Sequence, residues 1–134
     1  MATVDLLSDF RWAQAGAPEE AIRRVTEVLA RPLPAAQVEI LGSHDGGEGF
    51  VGGGGYLQLW SVAEIVEYNQ MLDVDRLIPG VLLFGSNGAD DLYGVRRSGE
   101  HLEYDAYPAV GLDKDSGERL AATWAEFLEA LAKS

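Results

Sequence analysis

GFVGGGGYLQLWSVAEI, residues 49–65, sets four consecutive glycines, Gly52 to Gly55, directly before a short apolar run and a helix signal. Tyr56-Leu57-Gln58-Leu59-Trp60 carries the aromatic and aliphatic side chains of a buried strand. Ser61-Val62-Ala63-Glu64 is a capping box: the serine oxygen accepts from the Glu64 N–H, and the Glu64 carboxylate reaches back. The helix that follows turns Ile65, Tyr68 and Leu72 inward and runs to about residue 72. A phosphate-binding glycine loop needs a lysine and a hydroxyl after its last glycine, and a helix N-terminus to receive the anion. Here Gly55 leads into a strand, and no basic residue lies between Arg31 and Arg76. The glycine run is therefore read as a turn into the edge of a sheet.

Upstream, residues 4–13 are expected to form a short helix with Val4, Leu7 and Phe10 on one side, interrupted by Gly16 and Pro18. Pro18 suits the first turn of a second helix, where its missing N–H costs nothing. Ile22, Val25, Val28 and Leu29 share a face of that helix, and Arg31-Pro32 ends it. Pro34 opens a third helix with Val38 and Leu41 inward, stopped at Gly42. Residues 42–55 read as a loop anchored to the core by Phe50.

Downstream, Gly80 to Phe84 is continuously apolar, so it is expected at the centre of a sheet. Leu92 to Arg97 is mixed, and Leu102 to Tyr107 alternates Leu102, Tyr104 and Ala106 against Glu103, Asp105 and Tyr107. Gly85-Ser86-Asn87-Gly88 and Ser98-Gly99 supply hairpin turns between these strands. Ala109 to Leu112 is expected as a further strand. In the last helix Asp115 and Glu118 stand as cap and partner, and Leu120, Trp124, Phe127, Leu128 and Leu131 share one face. Burying each such side chain is worth roughly 1.5–3 kcal/mol. The order predicts an α+β fold in one domain, a small antiparallel sheet of about four to six strands flanked by helices at both chain ends.

The chain has 134 residues, 47% hydrophobic, and a net charge of −12. That size carries one core. The charge disfavours nucleic acid and anionic membrane and suits a basic partner. There are no cysteines, which excludes disulfides, thiolate zinc sites and cysteine nucleophiles. The N-terminal MATVDLLSDFRW lacks the apolar core of a signal peptide, and no apolar run approaches the roughly 20 residues that span a bilayer. The expected compartment is the cytoplasm.

Candidate chemistry is sparse. His44 with Asp45 and Glu48, or Asp90 with Asp91, would suit a small hydrolase or metal-dependent enzyme, set against solvated loops. His101 begins a strand. Asp113-Lys114-Asp115-Ser116-Gly117 fails as a calcium loop, because Trp124 stands where a bidentate glutamate is needed. Asp90-Asp91 is read as a turn without a converging third ligand. Trp60, Tyr68, Tyr93, Tyr104 and Tyr107 are read as sheet and core residues rather than a base-stacking surface. No nucleophile, base and oxyanion donor assemble. No cofactor, metal or catalytic residue is assigned, and the residues point away from an enzyme.

Several segments together resemble the SUKH superfamily, in its Smi/Knr-type branch. Ile22 to Leu29 with Pro32-Leu33-Pro34 looks like the family's opening helix and its step into a second. Leu41 with Gly46-Gly47-Glu48-Gly49-Phe50 looks like its glycine-containing loop. Tyr56 to Ser61 with Glu64-Ile65 and Asn69 looks like its strand-then-helix, and Pro79-Gly80 through Gly88 like its strand and turn. Trp124, Phe127 and Leu128 look like its closing helix. The resemblance covers roughly residues 18–131, leaving 1–17 as an N-terminal extension. It implies a non-enzymatic module that binds another protein. In bacteria such proteins look like immunity proteins that neutralise a toxin domain, a nuclease among the possibilities; other branches look like regulatory scaffolds. The candidate partner contacts are acids and one aromatic expected beside mobile turns: Asp45, Glu48, Glu67, Asp73, Asp75, Asp90, Asp91, Glu103, Asp105 and Tyr107.

Overall fold

The structure, a computed structural model, describes residues 6–13 and 15–134. A seven-stranded antiparallel sheet runs in simple chain order, β1 to β7. Its strands are β1 (Arg11–Trp12), β2 (Gly47–Phe50), β3 (Tyr56–Leu59), β4 (Val81–Ser86), β5 (Asp91–Ser98), β6 (His101–Pro108) and β7 (Glu118–Ala121). The helices are α1 (Glu19–Leu29), α2 (Ala35–Ser43), α3 (Val62–Met71), the single-turn α4 (Val74–Leu77) and α5 (Trp124–Ala132). The α+β expectation holds, with helices towards both chain ends and a sheet wider than expected.

The extra strands come from segments read as helix or loop. Arg11 and Trp12 form β1, beside β2, where a helix over 4–13 was expected; Val4 lies outside the described residues. The glycine-rich stretch contains β2 because its glycines alternate. A Cβ at Gly47 or Gly49 would come within about 3 Å of the 9–12 segment, so that chain lies directly across β2. The same alternation corrects the anchor: Val51 turns inward at 0% exposure, while Phe50 is 55% exposed and packs edge-on against Tyr56.

The tetraglycine run is more than a turn. Gly52 and Gly53 adopt left-handed φ of 57° and 82°. The Gly55 N–H donates to Leu131 O at 2.8 Å, satisfying a carbonyl at the C-terminal end of α5. A Cβ at Gly54 would lie 2.3 Å from Ala132 O, so only glycine allows this approach.

On α1, Ile22, Val25 and Leu29 are buried, but Val28 is exposed; a step of 100° from Leu29 carries it off the stripe. On α2, Leu41 is buried and Val38 is exposed. The inner position belongs to Gln37, whose Oε1 accepts from Tyr104 Oη at 3.0 Å. Residues 109–112 form no strand: Gly111 has φ of 82°, and Leu112 alone turns in. The missing strand is β7, which absorbs Glu118 and Leu120. The cap of α5 lies eight residues later than expected, at Thr123 rather than Asp115: Thr123 Oγ1 accepts from the Glu126 N–H, and Glu126 accepts from the Ala122 N–H.

The core sits where α5 covers β4 to β6. Phe127 is fully buried, 5.1–5.5 Å from the rings of Phe84, Tyr93, Tyr104 and Trp124. At the edge of β4, α3 docks through Asn69, whose amide satisfies both backbone groups of Leu83.

Candidate functional site: an acidic cleft beside the β2–β3 hairpin

Three chain elements meet where α2 ends, β2 begins and α3 starts. The His44 N–H closes α2 on Ile40 O at 2.8 Å, and the next residue, Asp45, is thrown across to α3. Asp45 Oδ1 accepts from the Val62 N–H at 2.8 Å, so it shares the helix start with the Ser61–Glu64 capping box. Both carboxylates are stabilised there by the unpaired N–H groups and positive end of the helix.

Glu48 arrives from β2. Register pairs it with Arg11 of β1 and Gln58 of β3, so the three project from one face. Tyr56 Oη donates to Glu48 Oε1 at 2.5 Å, and the Arg11 guanidinium donates to Tyr56 Oη at 3.1 Å. The Tyr56 hydroxyl, and secondarily Gln58 and Arg11, hold the Glu48 carboxyl below its ordinary range; the same bond pushes the Tyr56 phenol up. Glu48 is therefore a fixed anion at neutral pH.

Glu48 and Gln58, with Asp45 and Glu64, bound an open cleft of about 260 Å³; Arg11, ion-paired with Glu48 at 3.7 Å, is not among its lining residues. Asp45, Glu48 and Glu64 supply three carboxylates, Gln58 an amide, and Trp60 and Tyr68 an aromatic wall with centroids 4.7 Å apart. Among the described residues no lysine or arginine lines it. Such a set accepts hydrogen bonds and attracts positive charge, and an aromatic face adds affinity for a guanidinium or ammonium. It offers no nucleophile paired with a base.

The hydrolase grouping does not assemble. His44 Nδ1 lies 2.7 Å from Ala13 O and its ring stacks on Trp12. Asp45 is committed to α3 and Glu48 to Tyr56. Among the described residues no three His, Asp or Glu side chains come together in a way that would hold a metal.

The other expected contacts scatter. Glu67 is exposed, one turn beyond Glu64. Asp73 pairs with Arg76, and Asp75 with Arg31. Asp90 and Asp91 lie on the β4–β5 turn, where Asn87 Oδ1 accepts from the Ala89 and Asp91 N–H groups at 2.9 and 3.0 Å. That turn leans on β3: a Cβ at Gly88 would sit 3.3 Å from the Tyr56 ring, bringing these acids to the cleft's end of the sheet. Burial, with the charges of Asp90 and Glu118, pushes the Asp91 carboxyl up.

Glu103, Asp105 and Tyr107 occupy the sheet face opposite Tyr104, and two of them correct the expectation of exposure. Asp105 and Tyr107 are each 4% exposed. Tyr107 Oη donates to Asp105 Oδ2 at 3.0 Å, and Arg96 Nε donates to Glu103 at 2.8 Å. Burial pushes the Asp105 carboxyl up, against the pull of Tyr107 and Arg96. The alternation in β6 is real, but its second face is covered: a Cβ at Gly117 would sit 2.4 Å from the Tyr107 ring.

Sequence reasoning missed Glu64, Gln58 and Tyr68 as site residues. Glu64 was read only as a cap, and nothing in its local pattern shows that the capped helix start faces β2.

No helix among the described residues is long and apolar enough to cross a membrane. No curated protein matched the chain closely enough to count as a relative. A family model did match: that of the SMI1 / KNR4 family (SUKH-1), over residues 16–130.

Proposed function

The chain belongs to the SMI1/KNR4 (SUKH-1) family, and from that premise we propose that it is an immunity protein, which binds and neutralises a toxin domain and carries out no reaction. The acidic cleft carries this reading. Asp45, Glu48 and Glu64 face one opening with Trp60 and Tyr68 and without a lining cation, in a protein of net charge −12. A toxin that acts on nucleic acid presents lysines and arginines where its substrate binds, and the cleft competes for those side chains. The rim acids Glu67, Asp90 and Asp91 extend the same field. Opposite charge accelerates encounter and weakens as salt rises. The proposed site of action is the cytoplasm, with no nucleic acid, membrane or cofactor as partner.

The test is co-purification with the product of the adjacent toxin gene, followed by association kinetics at increasing salt. The pair is expected to form, with an on-rate that falls as salt rises. Glu48→Arg combined with Glu67→Lys should slow association at least tenfold. A pair that forms with no response to salt or to both charge reversals would refute the acidic cleft as the contact. A genomic neighbourhood without a toxin gene, and no pair at all, would favour the regulatory scaffold reading of the same family.

A further inference from the structure

The row of cross-strand neighbours that carries Glu48 runs from β1 to β6. Register aligns Arg11, Glu48, Gln58, Ser86, Leu92 and Tyr107, so all six lie on one face of the sheet. That face is closed at one end and open at the other. Ser86, Leu92 and Tyr107 are buried, Gln58 and Glu48 are half-buried, and Arg11 is exposed.

Phe50 stands on the open part. It pairs in register with Tyr56, two strand positions beyond Glu48, and is 55% exposed. Its ring meets Tyr56 edge-on, with centroids 5.0 Å apart. The fold does not use it as an anchor, since Val51 is the residue that turns inward. Its neighbours are already fixed. Tyr56 Oη donates to Glu48 and accepts from Arg11, and Arg11 lies 3.7 Å from the Glu48 carboxylate, offsetting part of its charge. The result is an aromatic patch edged by ordered polar groups. It is continuous with the acidic cleft, because Glu48 and Gln58 belong to both.

We propose that this open face of the β2–β3 hairpin is the apolar centre of the toxin-binding surface, with Phe50 buried under an apolar side chain of the toxin domain. Resting on the proposed function, this contact supplies what holds the complex once charge has assembled it. Continuity selects the occupant. A body that brings a lysine or arginine to Glu48 meets Phe50 about 7 Å further along the same strand. The toxin surface should therefore carry an apolar side chain about 7 Å from its cleft-binding cation. Aromatic residues at the centre of an interface, ringed by polar groups that exclude water, dominate binding energy. Neighbours held in place beforehand lose little freedom when the partner arrives. Charge governs the rate of encounter, whereas a buried apolar contact governs how long the pair lasts.

The test measures association and dissociation of wild type, Phe50→Ser and Phe50→Leu with the product of the adjacent toxin gene. Phe50→Ser should raise the dissociation rate at least tenfold, with an association rate within twofold of wild type and an unchanged salt dependence. Phe50→Leu should recover most of the loss, because it keeps an apolar surface. A benzophenone amino acid at position 50 should photo-crosslink to the toxin. One at the exposed Glu100, on the β5–β6 turn at the far end of β5 from Asp91, should not. The crosslink is read on the assembled complex, so it decides the matter whatever Phe50→Ser does to stability; thermal melts report that separately. Unchanged dissociation of Phe50→Ser, a Phe50→Leu as weak as Phe50→Ser, or no crosslink from position 50 would each overturn the proposal. Any of these, with the salt-dependent toxin complex intact, removes this face and leaves the proposed function standing. Failure of wild type to pair at all removes both.

Discussion

Replacing Asn69 tests how α3, and with it one wall of the acidic cleft, is held to the sheet. Asn69 is 4% exposed, and its Nδ2 donates to Ile65 O at 2.7 Å and Leu83 O at 2.8 Å. Its Oδ1 accepts from the Leu83 N–H at 3.0 Å. β3 pairs with β4 only at Ser86 and Gly85, so beyond Gly85 the amide of Asn69 stands where a strand neighbour would. Asn69→Leu keeps the branched shape at Cγ, though with larger methyl groups, and leaves the Leu83 N–H and C=O buried without partners. Each orphaned group costs about 1–3 kcal/mol, so the variant should lose about 2–6 kcal/mol. Against a typical total of about 5–15 kcal/mol this is a large share, and it corresponds to a drop in Tm of about 6–20 °C. Asn69→Asp is the sharper probe. Its carboxylate still accepts from Leu83 N–H but confronts two carbonyl oxygens that had received hydrogen bonds. Burial and those oxygens raise the folded-state pKa of the new acid above its unfolded value, so ionisation destabilises the fold. Stability relative to wild type should therefore be lowest at neutral pH and recover as pH falls through that raised pKa. Urea denaturation and thermal melts by circular dichroism between pH 4 and 8 read both effects. If Asn69→Leu loses less than about 0.5 kcal/mol, or Asn69→Asp tracks wild type across that range, the clamp does not carry the load assigned to it.

Gly54→Ala should cost about 1–3 kcal/mol in urea denaturation, because the added Cβ meets Ala132 O; a loss under about 0.5 kcal/mol would show that the hairpin does not bear on α5. Asp105→Asn should be neutral or stabilising at pH 7, since burial already disfavours the ionised acid and Glu103 retains Arg96. The raised carboxyl of Asp105 makes its charge a cost above the folded pKa that disappears below the unfolded one, so any advantage of the variant should shrink as pH falls. Thermal melts at pH 4 and 7 decide this, and a loss of several kcal/mol at pH 7 would mean that the Tyr107–Asp105–Arg96 network needs its charge.

The parts of the fold legible in the sequence are those where one local signal suffices. Ser61 and Glu64 cap α3 as read, and the unbroken apolar run before Ser86 became the central strand, buried at every position. The errors fall where two signals competed. Leu120 extends the apolar face of α5 backward by one turn, which hid β7, although Thr123 and Glu126 already carried the right cap. Glycines masked β2, since a strand that accepts another chain across its face needs the residues that weaken strand propensity. The cleft was legible in part. Asp45 and Glu48 could be named as acids beside a turn, but their convergence with Glu64 and Tyr68 depends on how α2, β2 and α3 meet, which no local pattern encodes.

The net charge of −12 describes the molecule poorly at the scale a partner feels. Acids fill the cleft at the Gly85 end of β4, and Arg31, Arg96 and Arg97 lie at its Gly80 end. The Debye length at physiological salt is about 8 Å, short enough that each end presents its own sign at contact while the whole molecule still attracts cations from a distance. On the proposed function, a basic toxin domain would be drawn in by the total field but repelled by one end of the sheet. That asymmetry orients the encounter, because placing a lysine-rich surface against Arg97 costs energy that the cleft end does not impose. Glu48 is fixed by Tyr56 and Asp45 by the start of α3, so the receiving end is also the end whose charges are already ordered before the partner arrives. Orientation and pre-ordering then act together, and reversing Arg97 should relax the first without altering the second.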